Sequence, residues 1–214
     1  MIAGRTSPKV SGVYAVTPDE YDTSALVACV AAAIEGGTRL LQYRNKQASR
    51  ELKLEQARAL RSLCSGRGCA LIVNDDVDVA LAVGADGVHL GAGDTEISIA
   101  RERLGTGPMI GISCYDDLQR AVEAETAGAD YVAFGSFFPS SVKPGAVHAP
   151  LELLLRAKRA IGVPIVAIGG ITLENATQAL VAGADAIAVI TAIFCAPDVA
   201  AASRAFGNLF QRRA

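Results

Sequence analysis

A repeated motif, in which a helix end is followed by Gly-Ala-Asp and a short apolar segment, constrains this sequence most. It occurs as VGADGVHLG from Val83, AGADYVAFG from Ala127 and AGADAIAVI from Ala182, with a looser copy, EGGTRLLQY, from Glu35. Glycine after a helical pattern supplies the left-handed cap that ends a helix. The apolar run that follows is too short for another helix and is rich in strand formers. The motif therefore predicts strands that alternate with helices.

Eight segments fit the strand part of this unit. They are GVYAVT from Gly12, RLLQYR from Arg39, ALIVND from Ala70, GVHLG from Gly87, MIGIS from Met109, YVAFG from Tyr131, PIVAIGG from Pro164 and AIAVIT from Ala186. Helical periodicity lies between them, and a last helix is predicted from about Ala196 to Arg212. Strict alternation implies a parallel sheet with right-handed crossovers. We predict the α/β class and a single (β/α)8 TIM-barrel domain over residues 1–214, with residues 1–11 as a short N-terminal extension.

Composition excludes several classes of function. Apolar residues make up 51% of the 214 residues and the net charge is −2, so no basic surface for nucleic acid is indicated. Five cysteines without CxxC spacing disfavour both a disulfide framework and a zinc cluster. We see no signal peptide, and no apolar run reaches about 18 residues. We expect a cytoplasmic protein that binds small molecules, with no nucleic-acid or membrane partner.

Cationic side chains follow the second predicted strand, at the end of the barrel where active sites lie. In LQYRNK, the side chains of Gln42, Arg44 and Lys46 share one side of an extended chain. Two cations and an amide suit a multiply charged anion. The alternative is an ordinary solvated strand end. The long loop GSFFPSSVKPGA after the sixth strand adds Lys143 to the same face, beside two serines.

Carboxylates follow the third and fourth predicted strands. Asp75 and Asp76 end IVNDD, and Asp94 lies shortly after GVHLG. Asp75 and Asp94 are placed to share a magnesium ion that water and phosphate oxygens complete. Taken alone, Asp75 or Asp76 is equally well explained as the N-cap of a helix. The neighbouring cations favour the metal, because magnesium usually reaches proteins together with phosphates.

Backbone groups after the seventh and eighth strands predict a second anion site. AIGGIT contains Gly169 and Gly170, and AVITAI contains Ile190 and Thr191, each pair directly before a predicted helix. Backbone N–H groups at these two strand ends form the usual phosphate site of such barrels. The alternative for the glycine pair is a tight turn.

Three further polar side chains in the strands have separate interpretations. His89 lies between Val88 and Leu90 in a strand, which favours a packed, hydrogen-bonded structural role. Ser113 closes the fifth strand and is placed to donate to an anion oxygen. Cys114 has no adjacent activator in the sequence, so we do not predict a nucleophile there.

These motifs together resemble, over nearly the whole chain, the thiamine-phosphate synthase family, also called thiamine-phosphate pyrophosphorylase. The most specific are LQYRNK, IVNDD, GVHLG followed by Asp94, FFPSSVK, and AIGGIT with VITAI. The resemblance implies a magnesium-dependent transferase. Its reaction would condense 4-amino-2-methyl-5-hydroxymethylpyrimidine diphosphate with thiazole phosphate to give thiamine phosphate and pyrophosphate.

The resemblance also implies a role for individual residues. Those for the pyrimidine diphosphate are Gln42, Tyr43, Arg44, Asn45, Lys46, Asn74, Ser113 and Lys143. Those for the thiazole phosphate are Ser140, Ser141, Val142, Gly170, Ile190 and Thr191. Ser113 and Lys143 would act in catalysis on the departing pyrophosphate, and Asp75 and Asp94 would ligate magnesium.

The chain departs from the family pattern at a few positions, and other functions are open. Ala92 stands where glutamine is frequent, Tyr115 where histidine is frequent, Val142 where Thr or Ser is frequent, and Ser136 where proline is frequent. One rival is a thiazole tautomerase of similar fold, which would not need the diphosphate and metal residues. Others are a sugar-phosphate isomerase or epimerase, which needs an acid–base pair, and a non-catalytic ligand sensor.

Overall fold

A computed structural model describes residues 10–139 and 148–211, and in it eight parallel strands close into a barrel. The strands are β1 (Gly12–Val16), β2 (Leu40–Tyr43), β3 (Ala70–Asn74), β4 (Gly87–Leu90), β5 (Met109–Tyr115), β6 (Tyr131–Phe134), β7 (Ile165–Ile168) and β8 (Ala186–Val189). Each strand pairs with the next along the chain, and β8 returns to pair with β1 from Gly12 to Ala15. The predicted fold class and all eight predicted strands are confirmed.

Helices follow the strands on the outside of the barrel. Within the described residues they are α1 (Thr23–Glu35), α2 (Arg50–Ser65), α3 (Val77–Val83), α4 (Ile97–Leu104), α5 (Leu118–Thr126), α6 (Glu152–Ala160), α7 (Ala176–Val181), α8 (Thr191–Phe194) and α9 (Val199–Gln211). The predicted start of the last helix at Ala196 was wrong. Asp198 sets the true start, because its carboxylate accepts a hydrogen bond of 2.9 Å from the N–H of Ala201. No helix in the described ranges is long and apolar enough to cross a membrane.

The barrel interior combines a few large side chains with very small ones. Tyr14, Met109 and Tyr131 are fully buried inside the barrel, packed with alanines from β3, β6 and β8. Gly111 makes room for one of them, since a Cβ at that position would lie 1.9 Å from Cζ of Tyr131. A second and larger apolar layer lies between the strands and the helices. The strands are therefore buried on both faces, as the apolar composition requires.

In each copy of the Gly-Ala-Asp motif, the aspartate lies directly before or near the start of a strand and forms hydrogen bonds with the backbone of the preceding strand. Asp86 donates its own N–H to the carbonyl of Leu71 at 2.8 Å and accepts the N–H of Leu71 at 2.9 Å. Its carboxylate also binds the guanidinium of Arg61 on α2 at 2.6 Å. The same arrangement recurs for Asp130 with Ile110 and Arg101, and for Asp185 with Ile165 and Lys158. The motif is thus a structural element of the fold, at the end of the barrel away from the strand carboxyl termini.

Replacing Asp86 with asparagine is expected to lower the free energy of unfolding by about 3 kcal/mol, because it leaves the Arg61 guanidinium without its buried partner. Asp185→Asn is the matched control, since the Lys158–Asp185 pair is more exposed. Its expected cost is about 1 kcal/mol or less. Urea unfolding of both variants measures the difference. Equal losses in the free energy of unfolding would contradict a larger contribution from the buried Arg61–Asp86 pair.

Candidate active site

The carboxyl ends of the strands surround a cavity of about 920 Å³, large enough for two small phosphorylated molecules. It brings together many of the residues that were predicted from separate strands. Those that line it are Gln42, Arg44, Lys46, Asn74, Asp75, Asp94, Ser113 and Ile190. These polar side chains from separate strands therefore meet in one cavity, and their binding roles stay predictions.

The two cations that follow β2 are paired with carboxylates on neighbouring loops. Nη1 of Arg44 lies 3.2 Å from Oδ1 of Asp19, and Nζ of Lys46 lies 3.5 Å from Oδ2 of Asp75. Asp19 also accepts the backbone N–H of Lys46 at 2.8 Å. Arg44 and Lys46 are thus positioned at the cavity, and their binding of a diphosphate stays a prediction.

The two neighbouring aspartates after β3 have different roles. Asp76 is the N-cap of α3 and accepts the N–H of Val79 at 2.9 Å. Asp75 instead adopts a left-handed backbone (φ 63°), donates its N–H to the carbonyl of His89, and directs its carboxylate to that of Asp94. Burial, and then the adjacent Asp94, raises the pKa of Asp75 above its usual range. The sequence left either aspartate open as the cap, and the geometry assigns that role to Asp76.

The Asp75–Asp94 pair suits a magnesium ion. One oxygen of Asp94 accepts the N–H of Gly91 at 2.6 Å, which orients the carboxylate. Two converging carboxylates repel each other unless a cation or a proton lies between them, and oxygen ligands are those that magnesium prefers. Within residues 10–139 and 148–211, no cluster of three or more His, Cys, Asp or Glu side chains is placed to hold a metal. A magnesium ion bound by two carboxylates, water and substrate phosphate does not need one.

His89 and Ser113 form part of the cavity floor. His89 is buried, with Nδ1 3.0 Å from the Tyr131 hydroxyl and Nε2 2.9 Å from Oγ of Ser113. Burial lowers the pKa of His89 to about 4, so the ring is neutral at physiological pH. The predicted packed and hydrogen-bonded histidine is confirmed by these contacts. Sequence reasoning missed Tyr14, which lines this cavity, and Tyr131, whose hydroxyl group contacts both the Tyr14 hydroxyl and the His89 ring.

The family model described as thiamine monophosphate synthase matches residues 13–193. The chain belongs to this family. It is 53% identical to a thiamine-phosphate synthase of Chromobacterium violaceum, over 96% of this chain and 99% of the relative. It is 52% identical to one of Azoarcus sp. strain BH72, over 94% of this chain and 98% of the relative.

A solved structure agrees with this membership. The thiamine phosphate pyrophosphorylase from Pyrococcus furiosus superimposes with a TM-score of 0.83 at 38% identity, covering 94% of this chain and 96% of the other. Membership of the thiamine monophosphate synthase family makes this chain an enzyme, a transferase. The family resemblance predicted from the sequence motifs is confirmed.

Two residues of the pyrimidine set that the family resemblance implied lie elsewhere. Tyr43 donates its hydroxyl to Oε1 of Gln56 on α2 at 2.8 Å, and Nδ2 of Asn45 donates to the carbonyl of Glu20 at 2.6 Å. Side chains alternate along an extended chain, so these two point away from the side shared by Gln42 and the two cations. The cavity lining does not include them. Their contact with substrate stays a prediction, and the side chains as placed serve packing against α2.

The thiazole-phosphate set of the family is described only in part. Ser140, Ser141, Val142 and Lys143 lie outside the described residues. Gly169 and Ile190 line the cavity, whereas Gly170 and Thr191 follow them directly in the chain. Thr191 begins α8, whose first N–H groups have no carbonyl partner within the helix itself. Phosphate binding by Gly170, Ile190 and Thr191 stays a prediction.

The glycine pair has a structural reason of its own. Gly169 and Gly170 both have positive φ, 101° and 61°. A Cβ at Gly170 would lie 2.2 Å from the carbonyl oxygen of Pro139, and one at Gly169 would lie 2.0 Å from Oγ of Ser136. The turn after β7 therefore packs directly on the segment that follows β6. The tight-turn alternative that the sequence left open is confirmed by this geometry.

Two of the departures from the family pattern contact each other. The hydroxyl of Tyr115 accepts the N–H of Ala92 at 3.3 Å, which links the loops after β4 and β5. The guanidinium of Arg120 lies 6.0 Å from the centre of the Tyr115 ring, within reach of a cation–π contact. This contact links the two loops at the cavity, which both residues line.

The cysteines are expected to divide by accessibility, which thiol alkylation can measure. Burial raises the pKa of Cys114 to about 12, and its thiol contacts the carbonyl of Ile112, so it should not react in the folded protein at neutral pH. Cys64 and Cys69 are also buried, whereas Cys195 is exposed and should react first. Mass spectrometry of native and urea-unfolded samples gives the order. Rapid labelling of Cys114 in the native protein would contradict its inert role.

Proposed function

We propose that this chain joins 4-amino-2-methyl-5-hydroxymethylpyrimidine diphosphate to a thiazole phosphate and releases thiamine phosphate and pyrophosphate. One observation carries the proposal beyond family membership. A single cavity has the cations and carboxylates of β2 to β4 on one wall and the backbone turns after β7 and β8 on the other. A reaction between a diphosphate and a monophosphate needs two such unequal anion sites that open on the same space.

The first wall suits the diphosphate. Arg44 and Lys46 supply charge-assisted hydrogen bonds to its oxygens, and Ser113 adds a hydroxyl group from β5. Gln42 lies deeper, where its amide is available to the pyrimidine ring. Asp75 and Asp94 would hold magnesium against the same oxygens. When bound, this ion would neutralise charge that develops on the departing pyrophosphate.

The second wall suits the thiazole phosphate. Backbone N–H groups after β7 and at the start of α8 bind a single phosphate without a charged side chain, as in other barrels. Gly170, Ile190 and Thr191 are the proposed contacts, together with Ser140 to Val142 of the loop outside the described residues. In the proposed complex, the thiazole bound on this wall turns its nitrogen toward the pyrimidine methylene.

The proposed chemistry asks for little acid–base catalysis. The bond between the pyrimidine methylene carbon and the diphosphate oxygen breaks, and its electron pair leaves with pyrophosphate. The aminopyrimidine stabilises the resulting benzylic-type cation, which the thiazole nitrogen then attacks to form the new carbon–nitrogen bond. The protein contributes alignment of the two partners and stabilisation of the leaving group. A neutral, buried His89 and an inert Cys114 agree with such a site.

The free cysteines support a reducing compartment. All five are free thiols, and Cys195 is exposed to solvent. Exposed thiols persist where glutathione and thioredoxin keep them reduced. We therefore propose the cytoplasm as the location and small phosphorylated molecules as the partners.

The experiment is an assay in which each component is left out in turn. Purified protein with both precursors and magnesium should form thiamine phosphate, detected by chromatography, and none should form when either precursor is omitted. A thiazole tautomerase would instead convert the thiazole substrate alone, without magnesium. That result, or absence of product when both precursors are shown to bind, would contradict the proposed function.

A further inference from the structure

Five side chains from five different strands form one continuous line of hydrogen bonds, and all of them except Tyr131 line the cavity. Nε2 of Gln42 donates to the Tyr14 hydroxyl at 2.9 Å, and this hydroxyl lies 2.8 Å from that of Tyr131. The Tyr131 hydroxyl lies 3.0 Å from Nδ1 of His89, whose Nε2 lies 2.9 Å from Oγ of Ser113. The line begins at the residue proposed for the pyrimidine and ends at the one proposed for the pyrophosphate.

The donor at each step follows from counting hydrogens. The amide nitrogen of Gln42 only donates, so the Tyr14 oxygen accepts there and keeps one hydrogen to give. Within residues 10–139 and 148–211, the other side-chain group that the Tyr14 hydroxyl contacts is the hydroxyl of Tyr131, so Tyr14 donates its hydrogen there. Tyr131 must then give its own hydrogen to the remaining partner, Nδ1 of His89. Every donor in the line therefore points the same way.

This direction determines the tautomer of His89. A neutral imidazole carries one hydrogen, and because Nδ1 accepts from Tyr131, that hydrogen is on Nε2 and is donated to Ser113. The two rings also stack, with centres 5.5 Å apart and planes 26° apart. Tyr131 in turn fills the space that the missing Cβ of Gly111 leaves.

Ser113 is the end of the line. Its oxygen accepts from His89, so its own hydrogen is available to a group in the cavity that Ser113 lines. We infer that Tyr131 and His89 are positioning residues, which commit the Ser113 hydroxyl to donate to the departing pyrophosphate. This role rests on the proposed function. It gives the departing pyrophosphate a neutral hydrogen-bond donor in addition to Arg44 and Lys46, the cations that follow β2.

The opposite order of donors makes a different prediction. If the Gln42 amide were reversed, Ser113 would donate to Nε2, His89 would carry its hydrogen on Nδ1, and no serine hydrogen would be left for the substrate. The two tautomers differ in their nitrogen chemical shifts. NMR of protein labelled with isotopic nitrogen in histidine therefore separates them without any substrate.

The chain suits this measurement because it has only two histidines. His148→Gln removes one signal and assigns the other to His89. The expected result for the wild-type protein is the Nε2–H tautomer. The Nδ1–H tautomer would overturn the inference whatever the activity of the protein.

Kinetics test whether Tyr131 acts through Ser113. Tyr131→Phe should lower kcat by about tenfold or more, with KM for both substrates near the wild-type value, because Ser113 is then able to turn its hydrogen toward His89. In a Ser113→Ala background the same change should have little further effect. If the double variant lost kcat by the product of the two single losses, Tyr131 would act by a route other than Ser113. That result would overturn the inference.

Tyr14→Phe is the matched control, since it removes a hydroxyl group from an equally buried tyrosine of the same line. In this variant His89 is the remaining side-chain partner of the Tyr131 hydroxyl within the described residues, so Tyr131 keeps its hydrogen satisfied by donating to Nδ1. The Nε2–H tautomer should therefore remain, and the loss in kcat should be smaller than for Tyr131→Phe. A larger loss would contradict the proposed order. A wild-type protein with the Nε2–H tautomer but no turnover would contradict the proposed function and not the order of the hydrogen bonds.

Discussion

Replacing Asp75 with asparagine is expected to lower turnover by roughly 10²- to 10³-fold, because it removes one of the two carboxylates proposed to hold magnesium against the leaving group. Asparagine is preferred to alanine here, since Asp75 has φ 63° and asparagine tolerates the left-handed region well. Calorimetric titration with magnesium and pyrophosphate should show weaker metal binding. Magnesium binding and turnover near wild-type values would contradict the assignment.

The same variant should not lose stability when magnesium is absent. The pKa of Asp75 is raised by burial and by Asp94, so ionised Asp75 lowers the free energy of unfolding as pH rises through that raised pKa. The Asp75→Asn variant carries no charge at this position and avoids this cost. Urea unfolding at neutral pH without magnesium should therefore give a variant at least as stable as the wild type.

Asp76→Asn is the matched control for both measurements. It changes the same charge at the next residue, and asparagine is a good N-cap for α3. Turnover, magnesium affinity and stability should stay close to wild-type values. A loss comparable to that of the Asp75 variant would mean that the two aspartates do not have the separate roles described above.

Replacing Arg44 with glutamine is expected to raise KM for the pyrimidine diphosphate by roughly 10- to 10²-fold, which corresponds to one or two charge-assisted hydrogen bonds. KM for the thiazole phosphate should change little, because that substrate is proposed to bind on the other wall. Steady-state kinetics with each substrate varied in turn make the comparison. Equal effects on both KM values would contradict two separate anion sites.

Arg39→Gln provides the matched control. Arg39 lies directly before β2, at the end opposite Arg44, and its Nη1 donates to the carbonyls of Ile34 and Thr38 at 3.0 and 2.8 Å. Loss of this guanidinium removes the same charge from the protein at a distance from the cavity. Neither KM should change, which separates a local effect of Arg44 from a general effect of net charge.

Local pattern was sufficient to predict the strands and one wall of the site. The Gly-Ala-Asp motif predicted the alternation of strands and helices, and the Asp86 contacts now explain why it recurs. Alternation along β2 correctly placed Gln42 with the two cations on one side. The same rule excluded Tyr43 from that side, although the family resemblance had included it.

Contacts between distant strands were beyond the sequence. Tyr14 and Tyr131 are separated by 117 positions, and their hydroxyl groups meet only because β1 and β6 belong to one closed barrel. In the sequence each looks like an ordinary apolar strand residue. The roles of Asp75 and Asp76 were equally ambiguous, because both follow β3 and either is able to cap α3. The left-handed backbone of Asp75 and the hydrogen bond from Val79 to Asp76 separate them.

The most direct test of the proposed reaction is phosphorus NMR of a single mixture that contains the protein, both precursors and magnesium. We expect the diphosphate signals of the pyrimidine substrate to decline while pyrophosphate and thiamine phosphate appear in equal amounts, and only when the thiazole phosphate is present. Pyrophosphate released without thiamine phosphate, or thiazole phosphate converted while the diphosphate stays intact, would contradict the proposed condensation.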